Sequence, residues 1–254
     1  MRILVTFAVE AEFAPWRRLR KFKKLDSRGK NAIEFSSTAT AETPFEITVL
    51  LTGIGENSAL GALTETRFLT TDRPDLLISS GFAGALKPEL AAGEIIAPAK
   101  ARTLKNHANV DSDLPLREAA VRLGASAIEN LITVDRLVKT VEEKSRLAFF
   151  GESVDMESAI VMDRFAREGV VAVALRAISD ISSENLPLDF DRCLTPQGAI
   201  KPLNLLNQIV RGPQHLPEII RFGRQSFSAG QSLAAFLDKF VAAVPSLLER
   251  SVHV

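Results

Sequence analysis

Four short runs, Ile3 to Val9, Phe45 to Leu51, Leu76 to Ser80 and Val170 to Leu175, are almost continuously apolar and rich in β-branched residues, without apolar–polar alternation. A strand covered on one face alternates, and a strand buried on both does not, so these runs read as central strands of a sheet wrapped by helices. Between them lie helix-like stretches, Asn57 to Leu69, Leu116 to Leu123 and Ser158 to Arg167. Alternating β and α segments predict an α/β fold with a mostly parallel sheet. Each run gives way to small or polar residues: Glu10-Ala11-Glu12, Thr52-Gly53-Ile54-Gly55, Gly81-Phe82-Ala83-Gly84 and Ser179-Asp180. In open α/β sheets ligands bind beyond the carboxyl ends of the strands, so a site is expected where these four tips converge.

At 254 residues and 46% apolar content the chain can build one large core, and a single domain is the simplest organisation. Pro187, Pro196, Pro202, Pro213 and Pro217 punctuate a loop-rich stretch. A helical C-terminal extension is expected from about residue 196, with Leu233, Phe236, Leu237, Phe240, Val241 and Val244 as a stripe packed on the sheet. Lys plus Arg and Asp plus Glu both number 31, so no global field gathers nucleic acid. The lone Cys193 and three scattered histidines offer no metal-ligand spacing and fit a reducing, cytoplasmic setting. Ile3 to Val9 is too short to span a bilayer. The densest charge cluster, Arg17 to Lys24, interleaves Trp16, Leu19 and Phe22. It reads either as a solvated face with inward apolar residues or as a basic amphipathic helix touching anionic lipid.

Three acidic groups could carry chemistry. Asp180 ends a dry strand, where partial burial would raise its pKa and keep a proton for a leaving base; the alternative is an Asp that caps a helix. Asp155-Met156-Glu157 precedes a helix-like segment. A carboxylate there can accept both hydroxyls of a ribose diol while the thioether lies beneath the sugar, although acids in a first helical turn are also ordinary dipole partners. Glu10 and Glu12 would point the same way in an extended chain, and one could orient water as a general base; solvated strand-end carboxylates are the alternative. Gly53-Ile54-Gly55 and Gly81-Phe82-Ala83-Gly84 let backbone approach a ligand without completing a dinucleotide or phosphate-loop fingerprint.

The order of these motifs resembles the purine nucleoside phosphorylase superfamily, most closely its methylthioadenosine/S-adenosylhomocysteine nucleosidase branch. The resemblance rests on Ala8-Val9-Glu10-Ala11-Glu12, Thr52-Gly53-Ile54-Gly55, Ser80 to Leu86 with Gly93-Glu94-Ile95-Ile96, Val154-Asp155-Met156-Glu157 and Arg176-Ala177-Ile178-Ser179-Asp180. It implies an α/β sandwich around a mixed, barrel-like sheet, a homodimer or larger homo-oligomer, and no metal or organic cofactor. It also implies roles for matching residues. Asp180 would protonate or hydrogen-bond N7 of a purine, with Ser179 and Arg176 holding its loop. Met156 and Glu157 would contact the ribose, with Asp155 alongside, and Glu12 would position the attacking water. Ile54, Ala83 and Gly84 would line the substrate, and Phe190 would stand against the sugar.

Three departures stand out: Phe82 replaces a small hydroxyl residue, Asp155 replaces Glu, and Leu137 stands where an aromatic stacks on the base. The tail, Gly198 to Leu203 and Leu216 to Arg221, resembles the hopanoid-associated branch, whose substrate is adenosylhopane, a lipid-linked adenine nucleoside. Glu12 would repel a phosphate dianion, so hydrolysis is expected ahead of phosphorolysis. A nucleoside-binding module without catalysis is the alternative of another class.

Overall fold

A computed structural model describes residues 1–25, 32–37, 45–105, 108–187, 214 and 216–251. Its elements run β1 (Arg2–Phe7), α1 (Glu10–Leu19), β2 (Lys23–Lys24), β3 (Ile33–Ser37), β4 (Glu46–Leu51), α2 (Glu56–Glu65), β5 (Leu76–Ala85), β6 (Ile95–Thr103) and β7 (Asn109–Asp111). There follow α3 (Leu114–Arg122), β8 (Ser126–Thr133), α4 (Val141–Leu147), β9 (Ser153–Asp155), α5 (Ser158–Ala166), β10 (Val171–Asp180) and α6 (Leu216–Ser251). Phe190, Cys193 and the Gly198 to Leu203 motif lie outside the described residues.

The four apolar runs become β1, β4, β5 and β10, side by side and parallel, with Val5 level with Val49 on one flank and Ile78 on the other, and Ile78 level with Val173. The remaining strands add antiparallel ladders, β3 to β4 and β6 to β10 among them, so the sheet is mixed. It also closes: β5 pairs β10, and the path β10, β6, β8, β9 returns to β5 as a five-stranded barrel. Closure removes two exposed strand edges from the middle of the molecule.

Helices cover both faces. On one, α1 and α6 bury Phe13, Trp16, Leu233, Leu237, Phe240 and Val244 against Val5, Ile78 and Val173. On the other, α2 and α5 bury Leu63, Met162 and Phe165 against Leu4, Leu77 and Ala174. Each large apolar side chain removed from water this way stabilises the fold by about 1.5–3 kcal/mol. The expected terminal stripe is therefore present and packed on the sheet. Among the described residues no helix is long and apolar enough to cross a membrane.

Three local expectations are corrected. Glu10 and Glu12 stand not on extended chain but in the first turn of α1, where successive side chains turn by about 100°, so they diverge. Glu10 pairs with Arg17 at 3.0 Å, while Glu12 is buried. The basic segment is not one helix: α1 stops at Leu19, Arg20 is extended, and Lys23–Lys24 pair with β3. Trp16 is fully buried and Phe22 meets both Phe13 and Trp16 at 5.1 Å between ring centroids, so these aromatics turn inward because the aromatic core is there to receive them. Finally, Gly81 to Gly84 is not a loop but a continuation of β5, held in register by Arg176 to Asp180 of an equally long β10.

Candidate active site

The carboxyl ends of the parallel strands gather the acids that the sequence singled out. Glu12 hangs from the first turn of α1 and is fixed by backbone donors. One oxygen accepts from Ala8 N at 2.9 Å and Val9 N at 3.3 Å, and the other accepts from Phe82 N at 2.8 Å. Burial raises the pKa of Glu12, opposed by the Arg176 charge and these three N–H donors. Gly81 makes the approach feasible. Its φ of 140° disfavours other residues, and an added Cβ would collide with the Arg176 guanidinium and the Glu12 carboxylate.

Arg176 is 1% exposed. It donates to Ser158 Oγ, to Ser79 Oγ and to the carbonyl of Ser80, and it forms an ion pair with Asp155 at 2.8 Å. Its bonds therefore brace β5, β9 and α5 rather than the Asp180 loop that the resemblance implied. Asp155 is equally committed: it accepts from Thr133 Oγ1 at 2.6 Å and from Ser158 N at 3.1 Å, capping α5. Those three internal partners make Asp155 a support for Arg176 and α5.

Glu157 precedes α5 and crosses to β4's tip, accepting from Gly55 N at 2.7 Å. Burial, then the Asp155 charge, push its pKa up to about 8, against the Arg176 charge and the Gly55 donor. Met156 lies over the same loop, its methyl 3.6 Å from where a Gly55 Cβ would stand. Ile54, half-buried, belongs to that loop, which Thr52 and Gly53 stitch to β1 by donating to Phe7 and Ala8 carbonyls at 2.9 Å.

Asp180 ends β10, level with Gly84 and 7% exposed. One of its oxygens accepts from Ser179 Oγ at 2.6 Å, and Ser179 also reaches the Ala83 carbonyl at 3.4 Å. The other oxygen meets Lys144 Nζ of α4 at 2.5 Å. This partner was missed in the sequence. Lys144 stands among Glu142, Glu143 and Arg146, an ordinary solvated-helix pattern, yet it is 1% exposed. Only the packing of α4 on the Asp180 loop reveals it.

Glu12 meets β5 at Phe82 and Asp180 stands level with Gly84, two residues and about 7 Å further along that strand, so the Glu12, Arg176 and Glu157 group and the Asp180 group stand at one barrel end. Phe82 supplies its N–H to Glu12 and carries its ring toward Gly230 of α6. A cavity of about 270 Å³ opens beside Met156, walled by Leu104, Val134, Val138, Leu147 and Ile160, with Lys105, Asp135 and Arg136 at its rim. Leu137 is half-buried next to Val138, and its side chain is not part of that wall.

Comparison with known proteins agrees with this fold. The family model of the phosphorylase superfamily matches residues 2–211. The 5'-methylthioadenosine/S-adenosylhomocysteine nucleosidase of Shewanella pealeana is 28% identical over 240 residues, covering 82% of this chain and 100% of the relative. That of Shewanella halifaxensis is 29% identical over 195 residues, covering 65% and 82%. Among solved structures, the same nucleosidase from Campylobacter jejuni superposes with a TM-score of 0.70 at 18% identity, over 94% of this chain and 98% of the other. Futalosine hydrolase of Helicobacter pylori also gives 0.70 at 18% identity, over 95% and 97%. The strand order, the closed barrel and the match over most of the chain lead to one conclusion: this protein belongs to the phosphorylase superfamily.

Proposed function

We propose that the protein hydrolyses the N-glycosidic bond of an adenine nucleoside. The observation that carries this reading is the gathering of acid groups on one barrel end, Glu12 and Glu157 beside Arg176, and Asp180 two residues further along the β5 register. Glu12 takes a proton from water as its oxygen bonds to the sugar's anomeric carbon. The carbon–nitrogen bond breaks, and the purine leaves with a proton delivered through Asp180. Glu157 accepts the ribose hydroxyls and Met156 lies against the sugar as it gains positive charge. The names of the curated relatives support the same reaction class.

Water is favoured over phosphate by the electrostatics. Arg176 is engaged by Ser79, Ser80, Asp155 and Ser158, while Glu12, fixed at the nucleophile's place, opposes a dianion whenever it is ionised. The test is incubation with methylthioadenosine, S-adenosylhomocysteine or adenosine, with and without phosphate. Free adenine and a reducing sugar are expected at equal rates in both. Adenine release that needs phosphate, with ribose 1-phosphate as co-product, overturns hydrolysis.

A lipid-linked adenine nucleoside such as adenosylhopane is a second substrate reading, favoured by exposed apolar residues beside the site. Leu216, Ile220 and Phe227 of α6 are 41%, 47% and 60% exposed. Arg221 and Gln225, on the same turns, bind Glu184 in the loop after Asp180. Faster turnover of an adenosyl-lipid than of methylthioadenosine is the outcome that would support it. A homo-oligomer belongs to the same proposal and is read directly from the mass in solution.

A further inference from the structure

Among the described residues Lys144 is the one buried ammonium, and the fold has arranged acceptors for each of its protons. Beyond the Asp180 carboxylate at 2.5 Å, it donates to the carbonyl of Ile181 at 2.6 Å and to that of Glu184 at 2.9 Å. An ammonium has three donors and no acceptor, so all three are satisfied without water. The helix that carries it is itself pinned, Thr140 and Glu143 forming a reciprocal cap, and Val141 N donating to Asn185 Oδ1 at 2.8 Å. The loop after Asp180 is thus tied to α4 at both ends of its turn, and on its far side to α6 through Glu184.

We infer that Lys144 is a positioning residue for the nucleosidase reaction: through the direct ion pair it aims the Asp180 carboxyl at the purine. This rests on the reading of Asp180 given above. The two carbonyls alone would leave the third proton unpaired and the buried charge uncompensated. The third bond, made to the carboxylate itself, couples it to the acid. Around Asp180 the facing groups are Lys144 from α4, the Ser179 hydroxyl from its own strand, and the uncharged Gly84 and Val154 from β5 and β9. The Glu184 carboxylate is turned to Arg221 and Gln225, while Glu12, Asp155 and Glu157 are held by Phe82 N, Arg176 and Gly55 N respectively. Lys144 is therefore the single charged group in contact with Asp180 among the described residues.

The experiment compares the wild type with Lys144→Met, Lys144→Gln and Lys144→Arg, measuring kcat and KM for adenine release from methylthioadenosine across pH 5–9. Loss of the ammonium is expected to lower kcat by about 10-fold or more with a smaller change in KM, and by no more than the about 100- to 10,000-fold that a positioned acid contributes. It is also expected to displace the pH–rate profile, because a charge in direct contact with the acid has been removed. Lys144→Arg, which keeps the charge, should retain more activity than either neutral variant. Lys144→Gln keeps two donors and covers the case in which Lys144→Met does not fold. If the neutral variants show the wild-type profile and kcat, or lose activity only in step with lost folded fraction, Lys144 is a structural staple and the inference fails. If the wild type itself releases no base from any purine nucleoside, the nucleosidase reading fails first and this one with it.

Discussion

At Asp180 two consequences of one carboxyl can be separated. Asp180→Asn removes the proton that the leaving purine needs, so kcat should fall by about 100- to 10,000-fold. It also strands the Lys144 ammonium without its counter-charge, a loss of about 3–5 kcal/mol for a buried pair broken on one side. Activity should therefore be measured below the variant's own Tm; a variant that is folded there and still turns over at the wild-type rate would remove Asp180 from the mechanism. Glu157 gives a prediction of the opposite kind. Its pKa is about 8 in the folded chain against 4.5 as a free group. Below that lower value both states carry the proton. As pH rises between the two, the unfolded carboxyl ionises while the folded one resists, so the contribution to stability declines. Glu157→Gln should flatten this decline, raising Tm at pH 8 relative to the wild type by a few degrees while abolishing most adenine release. A Tm difference that does not vary between pH 5 and pH 8 would contradict the burial argument. Gly81→Ala tests the close approach itself. With φ at 140° and both Arg176 and Glu12 in the way, it should cost about 2–4 kcal/mol and most of the activity. Thermal melts and kinetics on the purified variant would check both.

At the scale of elements, the central strands were legible because their signal is self-contained. Val170 to Leu175 is apolar whatever surrounds it, and a strand buried on both faces has no other way to be written. The glycine stretch after Ser80 was not legible as strand, since isolated glycines weaken strands and usually end them. Here β10 supplies Arg176 to Asp180 as a ladder that keeps β5 extended, a tertiary cause with no local trace. The same applies to α1. Glu10 and Glu12 looked like the end of a strand, yet Glu12 folds back on the amides of Ala8 and Val9 and nucleates a helix. Trp16 to Lys24 carried both an amphipathic and an inward-facing reading, and the aromatic pocket of Phe7, Phe13 and Phe35 decided between them for Trp16 and Phe22. In the site, Asp180, Glu12 and Glu157 could be named from motif order, whereas Lys144 could not. A cation whose role comes from a helix docking on a loop 36 residues later leaves no pattern in its own neighbourhood.

Among the described residues two large apolar clusters share one sheet, with a small third around Leu86, Ile132, Val138 and Val154, and that arrangement sets how the molecule should come apart. Leu237 of α6 belongs to the cluster that includes Val5, Ile78 and Val173, while Phe165 of α5 belongs to the one that includes Leu4, Leu77 and Ala174. These strand residues alternate along the same backbones, so neither face can lose its helices without exposing the strands that the other needs. Unfolding should accordingly be one transition, with both clusters melting together and the acids at the barrel end, which draw on β1, β4, β5, β9 and β10, dispersing in the same step. Leu237→Ala should lower stability by about 2–5 kcal/mol and Phe165→Ala by about 3–5 kcal/mol, each a cavity in a fully buried position. The two side chains share no cluster, so the double variant should sum to within about 0.5 kcal/mol. Denaturant melts followed by both far-ultraviolet circular dichroism and Trp16 fluorescence check this, since Trp16 reports from the α1 and α6 face alone. Coincident curves in Phe165→Ala mean that a cavity under α5 is felt under α6. A variant in which tryptophan fluorescence keeps its wild-type midpoint while the dichroism shifts would mean that the faces melt separately, and the barrel would then not be the unit that holds the site.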